Sequence, residues 1–242
     1  MRRFDVLLGA LVVALGSFVA RPGRCCGVSA SGVASCSLAE HNEAVRPRWA
    51  VGVSGLYTST RLSFGDGLFA DQVRYASLAS LAYLPTPRLA LQVGAGAAFE
   101  GLLTTPDGRH EFSPGPTGLL GAAYRAYDDG HAFIQLTSTL SFASARTHLP
   151  DQASVGYQAF DLRLGGEFGL QLANVFRPYA ITRVFGGPVF WHYEGRSVRG
   201  HDTHLYQAGA GASVRVAKSV SVFAEGVPLG ERAVSVGVAV AL

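Results

Sequence analysis

The stretch Asp161-Leu162-Arg163-Leu164-Gly165-Gly166-Glu167-Phe168-Gly169-Leu170-Gln171 sorts its side chains onto two faces. Leu162, Leu164, Phe168 and Leu170 share one, and Asp161, Arg163, Glu167 and Gln171 share the other. A two-residue period is that of a β-strand. Charge on one side and hydrocarbon on the other describes a strand between a polar interior and an apolar exterior. The same pattern recurs along most of the chain behind an apolar leader, and a transmembrane β-barrel accounts for it most economically.

Composition agrees. The 242 residues suffice for one barrel or two small soluble domains. Only 15% are charged against roughly 25% in ordinary soluble proteins. Hydrophobic residues make up 48%, yet no apolar run beyond the leader reaches the roughly 18 residues that a membrane helix needs. The formal charge of +3 comes with a single lysine, Lys218, and with arginines scattered along the chain, so no nucleic-acid surface is expected.

Arg2 and Arg3, the apolar stretch Val6 to Ala20 and the small residues after it have the three parts of a secretory signal peptide. Ala14-Leu15-Gly16, Phe18-Val19-Ala20 and Val28-Ser29-Ala30 all offer small-residue cleavage sites, which places cleavage between 16 and 35. The cysteines, Cys25, Cys26 and Cys36, lie in or just after this region, so no disulfide framework is expected in the barrel. Val33-Ala34-Ser35-Cys36 has the look of a lipoprotein acylation box but lies well past the apolar stretch, and is read as small-residue linker. The expected organisation is a leader over 1–35, a periplasmic N-terminal segment over 36–48 and a barrel over 49–242.

Ten alternating segments follow, near 49–59, 73–84, 89–101, 117–127, 131–142, 157–170, 178–191, 204–216, 219–227 and 232–242. Each is long enough to cross a bilayer at the roughly 9 to 11 residues that a tilted strand requires. The fold class predicted is therefore all-β, an antiparallel up-and-down transmembrane barrel of ten strands. Eight is the alternative count, because the last two segments are short and the second alternates poorly, leaving Arg74 and Ser77 unassigned. Phe185-Gly186-Gly187-Pro188 breaks the alternation of the seventh segment, and a bulge or strand exit is expected at Pro188, with Phe190 and Trp191 anchoring the outer interface.

The connections alternate in length. Long gaps contain Phe64-Gly65-Asp66-Gly67, Thr105-Pro106-Asp107-Gly108, Thr147 to Gly156 and Glu194 to Thr203. Short ones contain Pro85-Thr86-Pro87-Arg88, Asp128-Asp129-Gly130, Ala173-Asn174 and Ala217-Lys218. Barrels of the outer membrane have this asymmetry, with short periplasmic turns and long extracellular loops. The last outer connection, Pro228-Leu229-Gly230-Glu231, is short, so the rim is low there. Trp49, Tyr57, Tyr83, Tyr124, Tyr127, Tyr179, Trp191, Tyr193 and Tyr206 cluster at segment ends and read as interfacial girdles.

In the last segment Val234, Val236, Val238, Val240 and Leu242 share one face and Ala233, Ser235, Gly237, Ala239 and Ala241 the other. Here the chain resembles small bacterial outer-membrane β-barrel proteins, over residues 48 to 242 and at the level of architecture. The resemblance implies outer-membrane lipid around the barrel and recognition of the terminal strand by the barrel-insertion machinery. It departs in ending on Leu242 where the class usually has Phe or Trp. No cofactor is expected, and no protein partner is specified.

Extending the alternation puts Gln92, Glu100, Arg125, Gln135, Thr137, Asp161, Arg163, Glu167, Gln207, Arg215 and Glu225 on the inward face, with Arg183 joining them. Glu100, Arg125, Asp161, Arg163, Glu167, Arg183, Arg215 and Glu225 are thus the expected lumen ionic network. Acids and arginines nearly balance, as they must where an unpaired charge costs several kcal/mol. Ten strands leave a lumen that side chains nearly fill. Inward Gly94, Gly96, Gly121, Gly165, Gly169, Gly209 and Gly211 would free space for water or a small solute.

The loop Gly200-His201-Asp202-Thr203-His204 holds the candidate chemistry. Asp202-x-His204 on an outer rim resembles the Asp-His pair of omptin proteases, in which the pair activates a water. Asp107 and Glu111 are the available acids for the opposite rim, without the family's Asp-x-Asp spacing. His192, His201 and His204, with Asp202 or Glu194, are the candidate metal ligands. The plainer reading of both sets is the polar tip of a solvated loop. Three functions stay open: a loop-presenting scaffold with a narrow salt-bridged lumen, a small diffusion channel, and an omptin-like hydrolase.

Overall fold

The computed structural model describes residues 26–28, 34–36, 49–148, 154–172, 175–193 and 195–242. The leader from Arg2 to Ala20, the segment Ser37 to Arg48, the pair Ala173-Asn174 and Glu194 lie outside the described residues. Strands β1 (Cys26–Val28) and β2 (Ala34–Cys36) form a separate antiparallel pair.

The other thirteen strands of the described residues form one continuous sheet. In chain order these are β3 (Trp49–Phe64), β4 (Phe69–Thr86), β5 (Leu89–Thr105), β6 (Gly108–Phe112), β7 (Gly115–Asp128), β8 (Ala132–His148) and β9 (Val155–Leu170), followed by β10 (Phe176–Gly186), β11 (Val189–Tyr193), β12 (Arg196–Asp202), β13 (Tyr206–Arg215), β14 (Val220–Gly230) and β15 (Arg232–Ala241). All pairings are antiparallel.

The pairings close two stacked rings. Toward the short turns, the order β3-β4-β5-β7-β8-β9-β10-β13-β14-β15 returns to β3 and makes a ring of ten. Toward the long loops, β3-β4-β5-β6-β8-β9-β11-β12 returns to β3 and makes a ring of eight. The low rim causes the change in number. The β14–β15 hairpin stops early, its last bridge to β3 being Arg232 to Ser59, and β12 takes over the vacant edge from Asp202–Leu62 to Gly200–Phe64. Closure removes free sheet edges at both levels.

Pro188 sits at the corresponding change of neighbour. Strands β10 and β11 follow β9 in one register, Gly186 opposite Leu162 and Val189 opposite Ala159, while the far neighbour switches from β13 to β12. The Phe160 N–H donates to the Pro188 carbonyl at 3.1 Å, and the ring nitrogen has no bond to return.

Large outward residues of the ten-stranded part are apolar, among them Leu120, Leu136, Leu140, Leu164, Phe168, Val184, Val234 and Val236. Aromatics bound this zone. Trp49 packs on Tyr83 at 4.5 Å on one side; Tyr57 on Tyr75 at 5.2 Å and Phe142 on Phe160 at 5.0 Å mark the other. Trp49 and Tyr57 are eight residues apart, about 20 Å of height at about 3.3 Å per residue and a tilt of about 40°. Beyond the second belt the outward face turns polar, with Arg61 gripping Asp71 at 2.7 and 2.9 Å.

Three of the expected girdle residues belong elsewhere. Tyr179, Trp191 and Tyr193 point inward, because they alternate in phase with Ile181, Arg183 and Val189. Phe190 faces out beside Phe160, at 6.5 Å, and alone of the Phe190-Trp191 pair anchors the outer belt. In β4, Arg74 faces the lumen and Ser77 the exterior.

Candidate functional site

The inward face of the ten-stranded ring carries two layers of charge. In the deeper layer Arg183 of β10 holds Glu225 of β14 with both terminal nitrogens, Nη1–Oε1 2.9 Å and Nη2–Oε2 3.2 Å. Glu167 of β9 approaches the same guanidinium at 3.7 Å and accepts from Gln135 Nε2 of β8 at 3.2 Å. The Tyr179 hydroxyl donates to Glu225 at 3.3 Å. Side chains from four strands therefore share one buried cluster, which is what a narrow polar lumen requires if ionised groups are to stay charged without water.

The upper layer is centred on Arg163 of β9. Its Nε bonds Asp161, two residues along the same face, and its Nη2 reaches Glu231 Oε2 at 2.8 Å. Glu231 also accepts from Gln207 Nε2 at 2.7 Å. Strand alternation does not reach Glu231, which lies in the turn between β14 and β15. Gly230 turns it inward: its φ is +79°, and a Cβ there would lie 1.7 Å from the Tyr206 carbonyl oxygen.

Three members of the expected network lie outside these layers. Glu100 is exposed and faces outward, because β5 carries an extra residue where Arg74 pairs with Gly101 and Ala76 with Ala98. This bulge turns Phe99 and Glu100 to the same side and reverses the alternation beyond it. Arg125 is buried near the short turns, 3.7 Å from Asp128 and 4.1 Å above the Phe133 ring. Arg215, at the end of β13, enters no ion pair among the described residues.

Gly165, Gly169 and Gly211, three of the inward glycines, lie against lumen side chains. A Cβ on Gly165 would meet Arg183 Cγ at 2.4 Å, and one on Gly211 would meet the Tyr179 ring at 2.5 Å. These glycines seat the lumen side chains rather than clearing a passage.

Above the charged layers, the eight-stranded ring is filled by an apolar cluster of Leu62, Phe64, Leu103, Phe112, Tyr157, Val189 and Trp191. Trp191 and Tyr157 are each 1% exposed and Leu103 is 0% exposed. Trp191 Nε1 donates to Thr147 Oγ1 at 2.8 Å, and Tyr157 OH donates to Gln72 Oε1 at 2.9 Å. The mouth that carries the long loops is thus plugged by a core of its own. A cavity of about 200 Å³ remains between this plug and the charged layers.

The candidate catalytic pair is not assembled. Asp202 faces inward and accepts from Thr60 Oγ1 and from the backbone N–H of His204, the latter at 2.7 Å. The His204 ring is exposed and its Nδ1 lies 3.1 Å from Thr203 Oγ1. The proposed opposing acids are engaged elsewhere, Asp107 by the Tyr193 hydroxyl at 2.5 Å and Glu111 by His148 at 3.7 Å. His192 and His201 stand on the outward face of β11 and β12, out of phase with Trp191 and Asp202. Among the described residues no three His, Cys, Asp or Glu side chains converge on a metal position, so His192, His201 and His204 do not form the triad read from sequence.

No protein-family model matches the chain, and no curated protein matches it in sequence. Solved structures do resemble it. The outer-membrane protease OmpT of Escherichia coli aligns with a TM-score of 0.52 at 9% identity, over 85% of this chain and 100% of that one. The translocator domain of the autotransporter NalP from Neisseria meningitidis gives 0.48 at 10% identity over 84% and 90%, and an outer-membrane channel from Pseudomonas putida F1 gives 0.42 at 12% over 83% and 97%. The likeness is one of fold: this chain has the architecture of an outer-membrane β-barrel, all-β, antiparallel and up-and-down.

Proposed function

We propose that this protein is an exported, integral outer-membrane barrel whose lumen is closed, and that its work is done by the rigid eight-stranded collar that it raises above the membrane. The observation that carries this reading is the apolar plug around Trp191, Tyr157 and Leu103, stacked over the charge layers of Arg163 and Arg183. A diffusion channel needs a continuous wetted path, and these two obstructions are different in kind. Removing one leaves the other. A hydrolase needs a base oriented toward a reacting atom, and Asp202 is instead committed to Thr60 and to the backbone. Lipid surrounds the apolar belt in this reading, and the alternating strand Ala233 to Leu242 is the segment offered to the insertion machinery.

The test is planar-bilayer conductance of the refolded chain, with folding checked by its heat-dependent gel shift. A folded and electrically silent barrel is the expected result. Reproducible unitary steps would overturn it in favour of transport.

A further inference from the structure

The cavity beneath the plug contains one guanidinium that the fold leaves unanswered. Of the arginines on its wall, Arg163 is paired with Asp161 and Glu231, and Arg183 with Glu225. Arg74 enters no ion pair among the described residues. Its guanidinium lies over the Phe112 ring at 5.2 Å and the Tyr157 ring at 5.6 Å, and its Nη2 is buried without an acceptor. Arg74 is half-buried, and its inner nitrogen, out of water and without an acceptor, costs free energy that an incoming anion recovers.

We propose that this cavity is a binding site for a small monocarboxylate with a compact apolar body, its carboxylate seated on Arg74. The neighbours suit both halves of such a molecule. Thr58, paired across the strand with Arg74, and Gln72, two residues along the same face, supply polar groups beside the guanidinium. Gln72 uses Oε1 to accept from Tyr157, which leaves its amide nitrogen as a donor. The rest of the wall nearby is Leu56, Ala76, Leu78 and Ala98. A planar guanidinium fork favours a carboxylate. The volume of about 200 Å³ exceeds the roughly 150 Å³ that holds a benzene ring. The only other charged wall group without a cationic partner, Asp202, already accepts two hydrogen bonds.

The test refolds the full chain with sodium benzoate, with benzyl alcohol, or with inorganic phosphate, and reads the temperature of the gel-shift transition. Benzoate at about 100 times its Kd is expected to raise the midpoint by about 5 to 10 °C. Benzyl alcohol, which lacks the charge, and phosphate, which lacks the apolar body, are expected to leave it within about 1 °C, and Arg74→Met is expected to abolish the benzoate effect. No benzoate shift, an equal shift with either comparison compound, or a shift that persists in Arg74→Met would each overturn the proposal. The comparison among the three compounds on the unaltered chain decides the matter even if the variant misfolds, and conductance decides the closed-lumen reading separately.

Discussion

Arg183 and Glu225 face one another across the lumen as a two-point ion pair, 2.9 and 3.2 Å long, with side-chain exposures of 3% and 1%. They lie 42 residues apart in sequence and tie β10 to β14, which have β13 between them. Such a pair adds little over a well-packed apolar substitute, yet breaking it strands a charge.

Glu225→Gln should therefore destabilise the barrel by about 3 kcal/mol, since Glu167 at 3.7 Å is a poor replacement partner for Arg183. Combining Arg183→Met with Glu225→Leu should recover most of that loss. Urea unfolding in detergent measures both; a single substitution costing under about 1 kcal/mol would deny the pair a structural role.

Trp191→Ala empties the centre of the plug and removes the donor to Thr147. A loss of about 3 to 5 kcal/mol is expected from the cavity it leaves. Conductance should nonetheless stay at baseline, because the Arg163 and Arg183 layers still obstruct the ten-stranded ring. Current through this variant alone would show that the plug is the only barrier.

Gly230→Ala puts a Cβ against the Tyr206 carbonyl at a backbone angle that side chains rarely adopt. The turn must shift, and Glu231 should lose its hold on Arg163. The expected result is a lower gel-shift midpoint and a smaller folded fraction, with Gly230→Asn no closer to the parent, because its Cβ meets the same backbone carbonyl even though asparagine tolerates positive φ.

In the short turn between β7 and β8, Asp129 accepts from the backbone N–H groups of Ala132 at 2.7 Å and His131 at 2.9 Å, and from the Tyr127 hydroxyl. These bonds, Ala132 first, hold its carboxyl down at about 2 against an ordinary value of 3.8. A depressed acid stabilises the fold above its unfolded value and ceases to as pH falls through the folded one. Amide protection at His131 and Ala132 should thus be lost between about pH 4 and pH 2, and Asp129→Asn should flatten that dependence. Protection unchanged across the window would contradict the hydrogen bonding.

Much of the barrel is legible residue by residue. Leu162, Leu164 and Phe168 face out and Asp161, Arg163 and Glu167 face in, as the alternation of 161–171 requires. Where the alternation is interrupted it misleads. Glu100 lies at a bulge and Glu231 in a turn, and in both places one residue more or fewer reverses the face without leaving a mark in composition. Asp202 and His204 are two residues apart, a spacing that shares one face within a strand, yet β12 ends at Asp202, and one points into the lumen and the other into solvent.

By itself the sequence determined an antiparallel barrel with apolar outer and polar inner faces, a low rim at Pro228 to Glu231 and a break at Pro188, since these follow from local period, turn chemistry and a missing donor. Only the tertiary structure decided that β12 crosses to β3, that the collar closes with eight strands above ten, and that the arginines are shared out so that Arg163 and Arg183 are answered and Arg74 is not. Those outcomes depend on which distant edges are left unpaired once the β14–β15 hairpin ends, and strand pairing between residues some 140 apart is set by closure of the whole sheet, not by any local run of residues.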